Sequence, residues 1–177
     1  MAKQISLRDF QQELAQRLRD AQTEATPTSR LGVQAGGGNW LLKLDDAGEV
    51  LPLPEISSVP LTKSWYLGLA NIRGVLESVV DFGAFMGGEP TARVPDCRLL
   101  LIADRFQSFS GLLISRMLGL RNVQSLEAAE SAPNRPWVGA TYRDREGYAW
   151  HELDVGALVA HDEFLSVGVL PVATISK

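Results

Sequence analysis

Residues Trp65 to Phe82 hold two apolar runs joined by Asn71-Ile72-Arg73-Gly74, and the second run closes on Asp81. The runs read as two strands meeting at a glycine-marked bend, and the bend presents a long cation. No nucleophile, base or metal ligand accompanies Arg73. The arrangement therefore suits docking of a partner better than making or breaking bonds.

Other segments follow the same pattern. Leu31-Gly32-Val33-Gln34 and Asn39-Trp40-Leu41-Leu42-Lys43-Leu44 read as strands flanking the turn Ala35-Gly36-Gly37-Gly38. Asp45-Asp46-Ala47-Gly48 is a turn signal, and Glu49-Val50-Leu51 continues as strand until Pro52 and Pro54 interrupt the ladder. Asp81 to Gly88 reads as a short helical turn stopped by glycine. Pro90 to Pro95 reads as a loop and as the internal seam of the chain. Arg98 to Ala103 is a strand, and Phe109 to Leu120 divides into two short strands around Arg116. Ser125 to Pro136 is a polar loop. Trp137 to Tyr142 and Tyr148 to Leu153 form a hairpin across Arg143-Asp144-Arg145-Glu146-Gly147. Asp154 caps a short helix carrying Val155, Leu158 and Val159, and Leu165 to Leu170 reads as a last strand. Short, closely spaced, glycine-punctuated strands argue for barrels or a sandwich.

Ahead of the strands, Leu7, Phe10, Leu14, Leu18 and Ala21 recur at spacings of three and four behind a Ser6 cap. They predict an amphipathic helix that ends near Thr26-Pro27-Thr28-Ser29. Its apolar stripe is expected to pack on the domain behind it, with a docking role as the alternative. The expected organisation is a helix and linker over 1–29 and one globular domain over 30–177.

The bulk numbers exclude several function classes. A chain of 177 residues, 45% hydrophobic and 21% charged, is globular in composition and long enough for a real core. The net charge is −4 and no Lys/Arg run is present, so no nucleic-acid partner is expected. Cys97 is the single cysteine, which rules out an internal disulfide, and its apolar neighbours predict a buried core residue. No apolar run approaches the ~20 residues of a membrane span, and the N-terminus lacks a signal-peptide core. A cytoplasmic location without membrane insertion is expected.

Chemistry has few candidates. His151 and His161 are the only histidines, ten residues apart, with Asp154 between them. That spacing is not one that metal sites favour. His151 is expected to face out of a strand and His161 to sit at a helix end where positive charge is favourable. Phe106-Gln107-Ser108-Phe109-Ser110-Gly111 lacks the first glycine of a hydrolase elbow. Glu77 and Asp81 do acid–base work only in a pocket that raises one pKa. The chain is read as a non-enzyme without cofactor or metal. A small-molecule-binding barrel is the alternative, and a metal-dependent enzyme using His151, Asp154 and His161 stands behind it. Arg73 either stiffens the bend through Glu49 or Glu77 or anchors an interface.

The run from Gly68 through Asn71-Ile72-Arg73-Gly74 to Val79-Val80-Asp81-Phe82 resembles the signature of the CheW-like domain family. Glu49-Val50 before a proline-rich link, Arg98 to Ala103, Gly111 to Gly119 and Leu153-Asp154 resemble further family segments in the right order, over about Arg30 to Leu170. Two positions depart from the pattern. Ser78 stands where a proline is common, which frees a backbone donor, and Ile114-Ser115 stands where Val-Asp is expected. The resemblance implies a mainly β fold of two small five-stranded SH3-like barrels packed together, here with the N-terminal helix and a short C-terminal helix. It implies a scaffold that couples the cytoplasmic tip of a methyl-accepting chemoreceptor to the regulatory domain of a CheA-type histidine kinase. By position, Glu49 and Arg73 would lie near the receptor groove, and Gly68 and Asn71 near the kinase-contacting side. The N-terminal extension resembles the branch of the family that serves type IV pili and twitching motility.

Overall fold

The computed structural model describes residues 28–130 and 134–169; the predicted N-terminal helix lies outside them. Eleven strands among the described residues form two sheets. They are β1 (Ser29–Ala35), β2 (Gly38–Lys43), β3 (Ala47–Pro52), β4 (Tyr66–Ile72), β5 (Val75–Asp81), β6 (Arg98–Ile102), β7 (Ser110–Ile114), β8 (Arg116–Asn122), β9 (Glu127–Ala129), β10 (Val138–Arg143) and β11 (Ala149–Leu153). One sheet has the order β8-β1-β2-β11-β10-β9, the other β3-β6-β7-β5-β4. Each is antiparallel except for one parallel pair, β2 with β11 and β5 with β7. The short helices are α1 (Phe82–Phe85), α2 (Val155–Val159) and α3 (Asp162–Leu165).

A shared core explains why the two sheets pack. Val33, Trp40 and Leu42 from the six-stranded sheet meet Val80, Leu100, Leu112 and Ile114 from the other, with Phe82, Phe85 and Trp137 in the same cluster. Leu158 of α2 and Phe164 of α3 join it, so these two helices cover the core. The opposite face of the five-stranded sheet has its own small core of Ala70, Val79 and Leu99, topped by Leu51, Ile56 and Leu67. A sheet buried on both faces needs apolar residues on both parities, which is why Leu99-Leu100 and Val79-Val80 occur as consecutive pairs. Cys97 is buried as expected.

The five-stranded sheet also curls shut. Ser57, just beyond β3 at one edge, exchanges two backbone hydrogen bonds with Leu69 of β4 at the other edge, at 2.8 and 2.9 Å. Joining the edges removes unpaired backbone from solvent.

Several sequence expectations need correction. The other sheet has six strands in place of five, because β9 lies inside the stretch read as a polar loop. Glu127-Ala128-Ala129 has little strand propensity, and pairing with Thr141, Tyr142 and Arg143 supplies what composition does not. Pro90 to Pro95 is no seam, since α1 before it and β6 after it both attach to the five-stranded sheet. The chain instead crosses between sheets at a 3-10 turn over Leu44–Asp46 and at Ser115, whose N–H donates to the Gln34 carbonyl at 2.8 Å. Of the last strand expected over Leu165 to Leu170, the described residues form one bridge, Gly168 with Thr62, while Leu165 ends α3 and Leu170 lies outside the described residues. Phe164 seats that helix on the core.

Candidate functional site

The bend between β4 and β5 is a two-residue hairpin turn. Arg73 and Gly74 both have positive φ, +54° and +91°, the signature of a type I′ turn whose twist matches the flanking strands. The Asn71 side-chain oxygen accepts from the Gly74 N–H at 2.8 Å and holds the turn closed. Glycine and asparagine are the residues that accept this conformation readily, whereas a non-glycine residue in the left-handed region is strained by about 1–2 kcal/mol. Arg73 takes that strained position and stands well into solvent, its side chain 78% exposed.

Arg73 Nη2 donates to Glu49 Oε1 at 2.7 Å. Glu49 lies on β3 and Arg73 beside β4, the two edges of the five-stranded sheet, so the pair spans the line where the sheet closes. Between groups this exposed the pair is worth about 0–1 kcal/mol, which does not recover the strain at Arg73. The cation is therefore held at a small net cost, which points to use at the surface. Val75 and Leu76 follow it directly and are 45% and 61% exposed. Phe109, at φ +46° and 60% exposed, lies along the same strand, its carbonyl accepting from the Ser78 N–H at 2.8 Å. The donor that a proline at 78 would have removed thus sets the position of Phe109. Sequence periodicity does not flag Phe109, because its exposure follows from a left-handed backbone and not from alternation.

Structure separates the four residues singled out above. Glu49, Asn71 and Arg73 gather at the turn. Gly68 lies farther along β4 and is buried, with φ +128° and its Cα against the Ser57 carbonyl. Asp81, which ends the signature, is 1% exposed; its carboxylate accepts from the Ala84 N–H, the Thr91 N–H and the Thr91 hydroxyl at 2.7–3.2 Å. It serves α1 and the loop after it, and forms no acid–base pair with Glu77. Burial, with the Asp104 carboxylate nearby, pushes the Glu77 carboxyl above its ordinary value.

The histidines behave differently from expectation. His151 does not simply face solvent: its Nδ1 lies 3.0 Å from the buried Thr141 hydroxyl and its ring packs on Trp40 at 5.4 Å. His161 caps the start of α3, where its Nδ1 accepts from the Glu163 N–H at 3.2 Å. An accepting nitrogen at a helix N-terminus is the reverse of a cation at a C-terminus. Asp154 caps α2 through the Ala157 N–H, as expected. With all three so committed, no group of His, Cys, Asp or Glu among the described residues is placed to hold a metal ion.

Burial pushes the His151 imidazole below its ordinary value near 6.5. A lowered value means that the unfolded chain takes up the proton more readily than the folded one. Its contribution is complete above the unfolded value near 6.5 and is lost below it, as pH falls through the lower folded value. The melting temperature is expected to drop between about pH 7.5 and pH 5.5, with a shallower drop in His151→Gln. Equal slopes in the two proteins would contradict this assignment.

No helix among the described residues is long and apolar enough to cross a membrane. Residues 30–163 match the family model of the CheW-like domain. Protein PilI of Pseudomonas aeruginosa is 29% identical over 156 residues, which cover 84% of this chain and 85% of that protein. The crystal structure of the scaffolding protein TtCheW from Thermoanaerobacter tengcongensis superposes with a TM-score of 0.58 at 16% identity, covering 72% of this chain and 89% of that one. That likeness speaks for the fold.

Proposed function

The chain belongs to the CheW-like domain family, and on that premise we propose that it is a non-enzymatic adaptor. It couples a chemoreceptor to a CheA-type histidine kinase, in a pathway that controls type IV pili. The similarity to PilI supports the choice of pathway. The single observation that carries the adaptor reading is Arg73: a strained, solvent-exposed arginine, paired with Glu49 across the closure of the barrel and flanked by exposed Val75 and Leu76.

An interface anchor of this kind works by position. The guanidinium offers donors in a fixed fork to a carboxylate or carbonyl on the receptor helices, and the apolar neighbours exclude water around it. Holding kinase and receptor in one assembly lets a small receptor movement bias the kinase, which is coupling between sites and involves no reaction on this chain. Asn71 serves by keeping the turn closed. Gly68, buried beneath the edge of β4, acts on the kinase-contacting side by shaping that edge.

Arg73→Gly separates function from stability. Glycine relieves the left-handed strain while loosening the unfolded chain, so stability is expected to stay within about 1 kcal/mol. Loss of an anchoring arginine is expected to weaken receptor binding by about 2 kcal/mol, on the order of thirtyfold. The measurement is titration of purified protein with receptor cytoplasmic fragments and with the kinase regulatory domain. Wild-type affinity in a normally folded Arg73→Gly protein would remove the role of Arg73. Failure of the parent chain to bind either partner would remove the adaptor reading.

A further inference from the structure

A cleft of about 370 Å³ is built wholly from the six-stranded sheet, at β1, β2, β8 and the β10–β11 hairpin. Its size falls in the range of small-molecule sites, roughly 300–1,000 Å³. Arg116, Leu118 and Arg121 of β8 line it, with Gln34, Asn39 and Tyr148.

Three features assemble this lining. The first is a bulge in β8. Gly32 of β1 pairs with Gly119 and Val33 with Met117, so Leu118 has no partner of its own. Strict alternation would send Arg121, five residues after Arg116, to the opposite face. The extra residue restores parity, and Arg116, Leu118 and Arg121 all reach one cleft. The second is a bare position beneath Arg121. A Cβ at Gly32 would lie 3.2 Å from Arg121 Cγ and 3.1 Å from Trp150 Cζ3, tighter than ordinary contact. With glycine there, the Arg121 guanidinium sits 4.9 Å from the Trp150 ring centre. The third is anchoring. Trp150 Nε1 donates to Asp144 Oδ2 at 2.9 Å, and Arg116 Nε donates to Gln34 Oε1 at 3.1 Å.

Neither Arg116 nor Arg121 forms an ion pair among the described residues. Every ion pair formed among the described residues uses another arginine: Arg30, Arg73, Arg105 or Arg135. Asp144, although in the lining, spends its carboxylate on the Trp150 indole and on the N–H groups of Glu146 and Tyr148. Two oriented guanidiniums with free terminal nitrogens, in a chain of net charge −4, suit a compact anion. Glu146 is exposed in the same lining and penalises a polyanion. Exposed Tyr148 and half-buried Leu118 offer surface to a flat apolar body. An added β-strand is the less suited occupant, because the bulge breaks the regular edge that it would need.

We propose that this cleft binds a small molecule carrying one phosphate and a flat apolar body, the guanidiniums of Arg116 and Arg121 holding the phosphate. Nucleoside monophosphates are the natural probes. Calorimetric titration of the full chain with AMP and GMP is expected to show binding that inorganic phosphate and adenosine each reproduce only weakly. Arg116→Gln and Arg121→Gln are each expected to weaken it on the order of tenfold, the loss of one charge-assisted contact, with an unchanged melting curve. Gly32→Ala should weaken it as well, its Cβ pressing on the Gly119 carbonyl at 3.1 Å and on Trp150 and Arg121. No binding of either nucleotide at millimolar concentration would overturn the proposal. So would equal binding of adenosine, equal binding of inorganic phosphate, or wild-type affinity in the folded arginine variants.

Discussion

Gly68→Ala is expected to destabilise the domain strongly. A Cβ at this position would lie 2.1 Å from the Ser57 carbonyl oxygen and 2.9 Å from its carbon, closer than any relaxed contact. The obstacle is backbone, so no side-chain rotation relieves it. Residue 68 also has φ +128°, a region that glycine alone occupies without strain of about 1–3 kcal/mol. Making room separates Ser57 from Leu69 and breaks the two hydrogen bonds that close the five-stranded sheet, at about 1 kcal/mol each. The sum is about 3–5 kcal/mol, a large share of the 5–15 kcal/mol typical of a domain. For a chain of this length that lowers the melting temperature by roughly 6–20 °C. Ser57→Gly should not rescue it, because the clash is with the carbonyl and not the side chain. A melting temperature within a few degrees of the parent would refute the steric argument. Loss of kinase binding in a Gly68 variant would accordingly report the shape of β4 and not a deleted contact.

Asp81→Ala is the second large effect. The carboxylate is buried and takes three donors, two of them backbone N–H groups. Alanine leaves the Thr91 N–H and hydroxyl and the Ala84 N–H without an acceptor. Orphaning a buried donor costs about 1–3 kcal/mol, so a total of about 3–4 kcal/mol is expected after partial rehydration. Asp81→Asn keeps one acceptor oxygen and should fall between alanine and the parent. The loop tied down through Thr91 carries the exposed Arg93. Trypsin should therefore cut Asp81→Ala there faster than it cuts the parent. Equal urea midpoints for the parent, asparagine and alanine proteins would show that the three bonds contribute nothing.

The sequence signature divides into parts that the local residues explain and parts that they do not. Asn71-Ile72-Arg73-Gly74 announces its turn because asparagine and glycine are the residues that tolerate left-handed backbone, and the structure places the turn at Arg73 and Gly74. The sequence offers Arg73 two carboxylates, Glu49 and Glu77, and the closure of the sheet brings it Glu49. The hairpin over Trp137 to Leu153 and the Asp154 cap were equally legible, since each depends on residues a few positions apart.

Distance in the chain marks where legibility ends. Nothing near Gly68 says that Ser57 will press on it, and nothing near Phe109 says that it will be exposed. The strand β9 exists only because β10 offers an edge to weak strand formers. Leu165 reads as the start of a strand by composition, but it ends the helical turn over Asp162–Leu165 that buries Phe164 against Phe85 and Trp65. Leu118, Arg116 and Arg121 share a cleft only through a bulge whose place is set by pairing with β1.

The strand-rich class, the turn at Arg73 and the Asp154 cap were therefore legible in the sequence, because they rest on backbone preferences and hydrogen bonds within a few residues. Sheet membership, the closure at Ser57, the burial of Gly68 and Asp81 and the alignment of the two cleft arginines were decided by tertiary structure. Each depends on which distant backbone arrives alongside, and the free energy that selects that neighbour comes from burying the shared core as a whole.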